Sequence, residues 1–327
     1  MAGGVSVPPL VAAVSEAGGL GMLPAGYRTP EQLAADLVDV QDLTDRPFGV
    51  NLFVPDRPRR EEHEAAVAAY REALLPRAAA LGVDPGTPSW GSTDHWEDKV
   101  ALVETFAPAV VSCTFGVPDA DAVARWRAAG SEVHVTVTSG AEALAAHAAG
   151  ADVLILQGQE AGGHRGTHDA SADPEVVYHL GLLEVVRAGP AGELPLVAAG
   201  GVTTSGDVRR ALAAGAVAVQ VGTALLLSAE SGASPTYRRA LRDPSLTERV
   251  TTRAFTGRVA GALRNAFVDE LGGLAPSVFP VVGQVSGPVR RAAAAAGEVQ
   301  WTHVWAGVGW RACQERPAAG IVRELTG

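Results

Sequence analysis

The chain has 327 residues, 47% of them hydrophobic and 19% charged, with a formal net charge of −10. That length and apolar content describe a well-buried globular protein and exclude a disordered one. The acidic balance leaves no basic stripe to neutralise phosphates, which argues against a nucleic-acid partner but not against a small anionic cofactor held by backbone dipoles.

Taken in chain order, short β-rich runs alternate with longer Ala-rich segments. A helix over 8–17 precedes a strand at 20–23, and a helix over 30–40 precedes a strand at 48–54. A long helix over 61–81 leads to a strand at 109–115. Helix–strand pairs then follow at 120–129 and 133–137, at 141–148 and 153–156, at 174–187 and 196–199, and at 205–214 and 217–221. The strand runs are almost wholly apolar, as strands buried on both faces of a parallel sheet must be. Each helix ends at or near Gly, and several begin after Ser, Thr or Asp. Such alternation predicts an α/β fold, a (β/α)8 TIM barrel over 1–227 with one strand short. Met1-Ala2-Gly3-Gly4 reads as a strand end and its turn, so the first strand is expected upstream. Residues 228–285, richer in Pro, Ser, Thr and Arg and without a clear strand, predict a small, mostly helical inserted lobe covering the active site. Residues 286–327 return to the barrel as Ala-rich helix.

Two cysteines, Cys113 and Cys313, make no disulfide framework and suit a reducing, cytoplasmic setting. Cys113 in an apolar strand reads as core, not nucleophile. No stretch reaches the roughly 18 uncharged apolar residues of a membrane helix, and the apolar start lacks the basic region of a signal peptide.

The chemistry-bearing stretch is 157–168, Gln-Gly-Gln-Glu-Ala-Gly-Gly-His-Arg-Gly-Thr-His, at the end of the 153–156 strand. Its glycines let backbone N–H groups approach a ligand closely, and His164 is delivered beside them. His164 reads either as a turn-capping residue or as a general base or neutral hydrogen-bond donor facing a ligand. Glu160 could orient an imidazole or sit solvated. Arg165 and His168 read as loop or surface residues. His164 and His168 are separated by Gly166 on a non-helical segment, so no metal site is expected. Gly200-Gly201 and Gly222-Thr223 follow the last two strands, where barrels commonly place a phosphate site, although both pairs could be ordinary strand-ending turns. Gly19-Leu20-Gly21 does not complete a dinucleotide fingerprint.

These residues resemble the nitronate monooxygenase (2-nitropropane dioxygenase) family of FMN-dependent barrels. The likeness runs through Met1-Ala2-Gly3-Gly4-Val5-Ser6, Ala17-Gly18-Gly19-Leu20-Gly21, Phe48-Gly49-Val50-Asn51-Leu52-Phe53 and the 157–167 loop. It continues in Ala198-Ala199-Gly200-Gly201-Val202, Gln220-Val221-Gly222-Thr223 and Phe255-Thr256-Gly257-Arg258. The resemblance implies FMN with Met1, Ala2, Gly3, Asn51, Gln157, Ala161, Gly162 and Gly163 around its ring and ribityl chain. Gly200, Gly201, Gly222 and Thr223 would hold its phosphate, and His164 would be the catalytic residue. It implies a nitronate or nitroalkane substrate, such as propionate 3-nitronate, oxidised by dioxygen to a carbonyl compound and nitrite. An NAD(P)H-dependent flavin reductase and a non-catalytic flavin-binding barrel stay open, as does a homodimer. Some relatives carry a lysine where this chain has Thr136, and the family's leading strand has no counterpart before Met1; a chain beginning there would leave its flavin pocket open on one side.

Overall fold

The computed structural model describes residues 1–56 and 58–327. Seven parallel strands form one curled sheet: β1 (Gly21–Pro24), β2 (Phe48–Phe53), β3 (Val110–Thr114), β4 (Glu132–Val137), β5 (Val153–Gln157), β7 (Leu196–Ala199) and β8 (Ala218–Gln220). All seven strand expectations are met to within a few residues, and the architecture is a TIM-barrel-like α/β fold. Among the described residues β8 and β1 are the two edges and are not paired to each other.

Alternation along the strands divides two environments. Leu23, Val50, Leu52, Val111, Cys113 and Val133 pack under the surrounding helices, and Val135, Val137, Leu154, Leu156, Leu196 and Ala198 form a second such cluster. Burial pushes the Cys113 thiol up, so it stays protonated and inert, as a core residue should. The opposite face carries Asn51, Ser112, Thr114, Thr136 and Gln157. Asn51 Nδ2 donates to Ser112 Oγ at 2.8 Å and to Thr114 Oγ1 at 3.0 Å, and the Thr114 and Thr136 hydroxyls lie 3.4 Å apart.

The helices follow their local signals. In chain order they are α1 (Pro8–Glu16), α2 (Pro30–Leu43), α3 (Arg60–Ala80), α4 (Trp96–Phe106), α5 (Ala120–Ala128), α6 (Gly140–Ala148), α7 (His179–Arg187) and α8 (Ser205–Ala213). α2 opens on a Thr29–Gln32 capping box with Pro30 in its first turn, and α8 opens on a Thr204–Asp207 box. α4 was not among the expected elements. It starts after Asp94 and His95, both left-handed (φ +53° and +58°), so its beginning looks like a loop. The segment expected as helix from 174 becomes helical only at His179. Gln159 N–H is bonded to Val177 O, and the Glu160 carboxylate accepts the His179 N–H, so α7 starts where that carboxylate stands.

The segment after β8 holds α9 (Pro235–Arg242), α10 (Ala266–Leu271) and the start of α11 (Val281–Ala295), and α12 (Ala318–Thr326) follows. It is mostly helical, but the expected absence of strands is corrected. β9 (Arg249–Thr252) and β10 (Ala260–Leu263) pair antiparallel, and β10 pairs in turn with the two-residue β6 (Gly163–His164). Four-residue strands such as Ala-Gly-Ala-Leu carry no readable alternation, because all four residues are buried. α3 shares this segment's core: Val67, Tyr70 and Leu74 pack with Phe255, Phe267, Val281 and Val285. α11 runs unbroken across position 285. Among the described residues no helix is long and apolar enough to cross a membrane.

Candidate active site

β5 ends at Gln157, and this residue folds the following loop back on its own strand. Its Oε1 accepts from Gly166 N–H at 2.8 Å, its Nε2 donates to the His164 carbonyl at 3.1 Å, and its carbonyl accepts from Arg165 Nη1 at 2.9 Å. Gly163 has φ +71°, and a Cβ there would meet nothing within 4 Å, so this turn faces open space. Gly162 differs: a Cβ would stand 2.4 Å from Gly307 N and 2.6 Å from Ala306 C. Only glycine allows that approach of two backbones.

The β6–β10 pairing, with His164 opposite Ala260, sets the imidazole against the inserted segment. His164 Nε2 lies 2.8 Å from Thr256 Oγ1. Phe115, Phe279 and Trp305 surround the ring with centroid distances of 5.7, 5.4 and 5.2 Å. Arg258 lies over Phe115 and Phe279, at 4.1 and 5.0 Å from their centroids, holding both rings by cation–π contact. Its Nη1 donates to Thr167 O at 2.6 Å, and Asp56 is within 3.5 Å of its Nη2. Burial, and then the positive charges of Arg258 and Arg290, push the His164 pKa from 6.5 down to about 3.

The folded ring therefore stays neutral down to about pH 3, whereas the unfolded one takes a proton near 6.5. Its contribution to stability is intact above 6.5 and is lost as pH falls toward 3. We expect kcat/KM to show no break near pH 6.5 arising from this residue. A pH–rate profile with a break there that titrates His164 by NMR would contradict that.

The two later turns close on the same loop. Gly200 and Gly201 have φ +105° and +71°; a Cβ on Gly200 would lie 3.1 Å from Ala161 N, and one on Gly201 would lie 2.9 Å from Glu160 Cβ. Thr223 Oγ1 accepts from Gly307 N–H at 3.1 Å, and a Cβ on Gly222 would lie 3.3 Å from Met1 Sδ. The N–H groups of Gly200, Gly201 and Gly222 donate to no protein acceptor among the described residues. Unspent amides at two adjoining strand ends are the kind of group that can bind an oxyanion. The Met1 amine donates to Ser6 Oγ at 2.9 Å, and burial lowers its pKa to about 6. No hydrogen bond among the described residues ties Ala2 or Gly3 to the rest of the set.

The structure decides three sequence readings. Glu160 is buried and bonds His179 Nδ1 at 2.8 Å, so the imidazole it orients is not His164. Arg165 is no surface residue but only 2% exposed. It follows His164 just past the end of β6, with its side chain on Gln157 O and its N–H reaching Val259 O at 2.8 Å. Burial lowers its pKa to about 10, and its Nε and Nη2 have no hydrogen-bond partner among the described residues. His168 is half-buried: Nε2 lies 3.0 Å from Thr136 O, and its N–H donates to Glu142 at 2.8 Å. The sequence reading missed Thr256, Phe115, Phe279, Trp305 and Gly307 at this site. Thr256 lay within the Phe-Thr-Gly-Arg motif; the aromatic residues carried no local signal.

The family model described as nitronate monooxygenase matches residues 1–327. The chain is 38% identical over 328 residues to a nitronate monooxygenase of Pseudomonas aeruginosa, covering 98% of this chain and 92% of that protein. It is 33% identical over 329 residues to a probable nitronate monooxygenase of Staphylococcus saprophyticus, covering 98% and 91%. Among solved structures, a nitroalkane oxidase from Streptomyces ansochromogenes superposes with a TM-score of 0.94 at 45% identity, over 99% of this chain and 92% of that one. FabK from Thermotoga maritima superposes with a TM-score of 0.74 at 26% identity, over 99% and 89%. With a family match along its whole length and an imidazole set at the mouth of the barrel, this chain belongs to the nitronate monooxygenase family of oxidoreductases.

Proposed function

We propose that this protein oxidises alkyl nitronates, propionate 3-nitronate among them, with FMN and dioxygen to a carbonyl compound and nitrite. The observation that carries the reading is His164, neutral and ringed by aromatic side chains, beside a turn that opens on free space and an oxyanion cradle. The residues present fit FMN on two counts. The unspent amides of Gly200, Gly201 and Gly222, with the Thr223 hydroxyl, suit its phosphate. The space over Gly163, where a Cβ would touch nothing, suits a flat ring. In this reading Met1, Ala2, Gly3, Asn51, Gln157, Ala161 and Gly162 complete the wall around it.

The flavin supplies the redox chemistry when bound, and the protein supplies position and exclusion of water. His164 holds the nitro oxygens of the substrate. Phe115, Phe279 and Trp305 keep that contact dry, which strengthens it. We assign residues 228–285, which contribute Thr256 and Phe279 beside His164, as the cover of this site.

The test is aerobic: flavin-loaded protein given propionate 3-nitronate should consume dioxygen and release nitrite together. No nitrite above the rate of a flavin-only control would overturn the reading.

A further inference from the structure

The contact between Thr256 Oγ1 and His164 Nε2, at 2.8 Å, has room for one proton, and its owner decides which tautomer the ring adopts. Thr256 is 4% exposed and precedes Gly257, whose φ of +82° turns the chain beneath the ring. Its other neighbours are the carbonyl and the N–H of Arg258, both at 3.5 Å, the outer limit of a hydrogen bond.

Two arrangements compete. If Nε2–H donated to Thr256, the hydroxyl proton would have only the distant Arg258 carbonyl, and a buried donor would be left nearly unsatisfied. If the hydroxyl donates to Nε2, its proton sits in the short bond and its lone pairs remain for the Arg258 N–H. The second arrangement puts the hydroxyl proton in the short bond and gives up only the long 3.5 Å contact to the Arg258 carbonyl. The ring's Nδ1 then carries the proton. It makes no protein hydrogen bond among the described residues and is not sealed within the protein, which leaves it available to a ligand.

We propose that Thr256 is a positioning residue whose hydroxyl donates to Nε2 and holds His164 as the Nδ1–H tautomer, a hydrogen-bond donor to substrate oxygen and not a proton acceptor. The substrate half of this inference rests on the nitronate reading above; the tautomer half does not. A nitronate has already lost its carbon proton, so it needs no base, and its negative oxygens match a neutral N–H. The uncharged ring is kept so by burial and by Arg258 and Arg290.

The test uses flavin-loaded protein with ¹⁵N-labelled histidine, the His164 signals being identified by their loss in His164→Gln. Nitrogen–proton correlation should show the proton on Nδ1 and Nε2 bare; a proton on Nε2 overturns the proposal. Thr256→Val should leave the ring mixed between tautomers and lower kcat/KM for propionate 3-nitronate by about tenfold, the size of one hydrogen bond. Thr256→Ser should restore both. Unchanged tautomer and rate in Thr256→Val would overturn the proposal. If Thr256→Val does not fold, the wild-type spectrum and Thr256→Ser decide alone. A wild-type ring with its proton on Nδ1 in a protein that turns over no nitronate would leave the Thr256 assignment standing and remove the functional reading instead.

Discussion

His164→Ala is expected to retain flavin and to lower kcat/KM for a nitronate by about 10²–10³, the range for losing one preorganised donor to a developing charge. Retention follows from the geometry. The oxyanion cradle of Gly200, Gly201 and Gly222 and the Gln157 bonds to Gly166 and the 164 carbonyl use backbone groups that alanine preserves. What the substitution removes is the ring that Phe115, Phe279 and Trp305 enclose. The flavin content, read from absorbance, and steady-state kinetics check the two halves separately. A flavin-loaded variant with full turnover would remove His164 from the chemistry. Loss of flavin with loss of activity would instead assign the ring a structural part.

Gly162→Ala is expected to act the opposite way, through binding and stability. Its Cβ would meet backbone atoms of Gly307 and Ala306 at 2.4 and 2.6 Å, and backbone cannot step aside as a flexible side chain can. Moving that strand of chain breaks the Gly307 N–H bond to Thr223 and opens the cradle. The strain is about 1–3 kcal/mol, as for overpacking generally, and each 1.4 kcal/mol drawn from binding weakens flavin affinity about tenfold. Gly130→Ala, between α5 and β4 and outside this site, is the control: its Cβ meets nothing within 4 Å and only the left-handed backbone penalty, about 1–2 kcal/mol. Thermal unfolding and flavin titration of both variants give the comparison. Equal, small effects on flavin affinity would contradict the close approach at Gly162.

Much of this architecture was legible in the sequence because its determinants are local. A parallel strand covered on both faces needs an unbroken apolar run, and all seven runs became strands of the sheet. The glycine turns after β5 and β7 were legible for the same reason: glycine is the residue that tolerates positive φ, and Gly163, Gly200 and Gly201 all adopt it. α4 escaped notice although Trp96, Val100 and Val103 recur at helical spacing, because its left-handed start resembles a loop. The surroundings of His164 were not legible at all. Thr256 is 92 positions away in the chain, and Trp305 arrives through an isolated bridge to Ala262, so only the folded chain assembles them. Arg165 lies in the loop, as one half of its reading had it, but its burial was not legible, because a charged residue in a Gly-rich stretch looks solvated. The pairing of β6 with β10, which turns it inward, depends on two strands too short to announce themselves.

In the function proposed here, the site passes electrons from a nitronate to a flavin. Its most direct test is the absorbance of the flavin-loaded protein during anaerobic titration, first with propionate 3-nitronate and then, in a fresh sample, with NADPH. The nitronate is expected to perturb and bleach the flavin band, and NADPH to leave it oxidised. Rapid bleaching by NADPH with no response to the nitronate would contradict it and make the protein a flavin reductase.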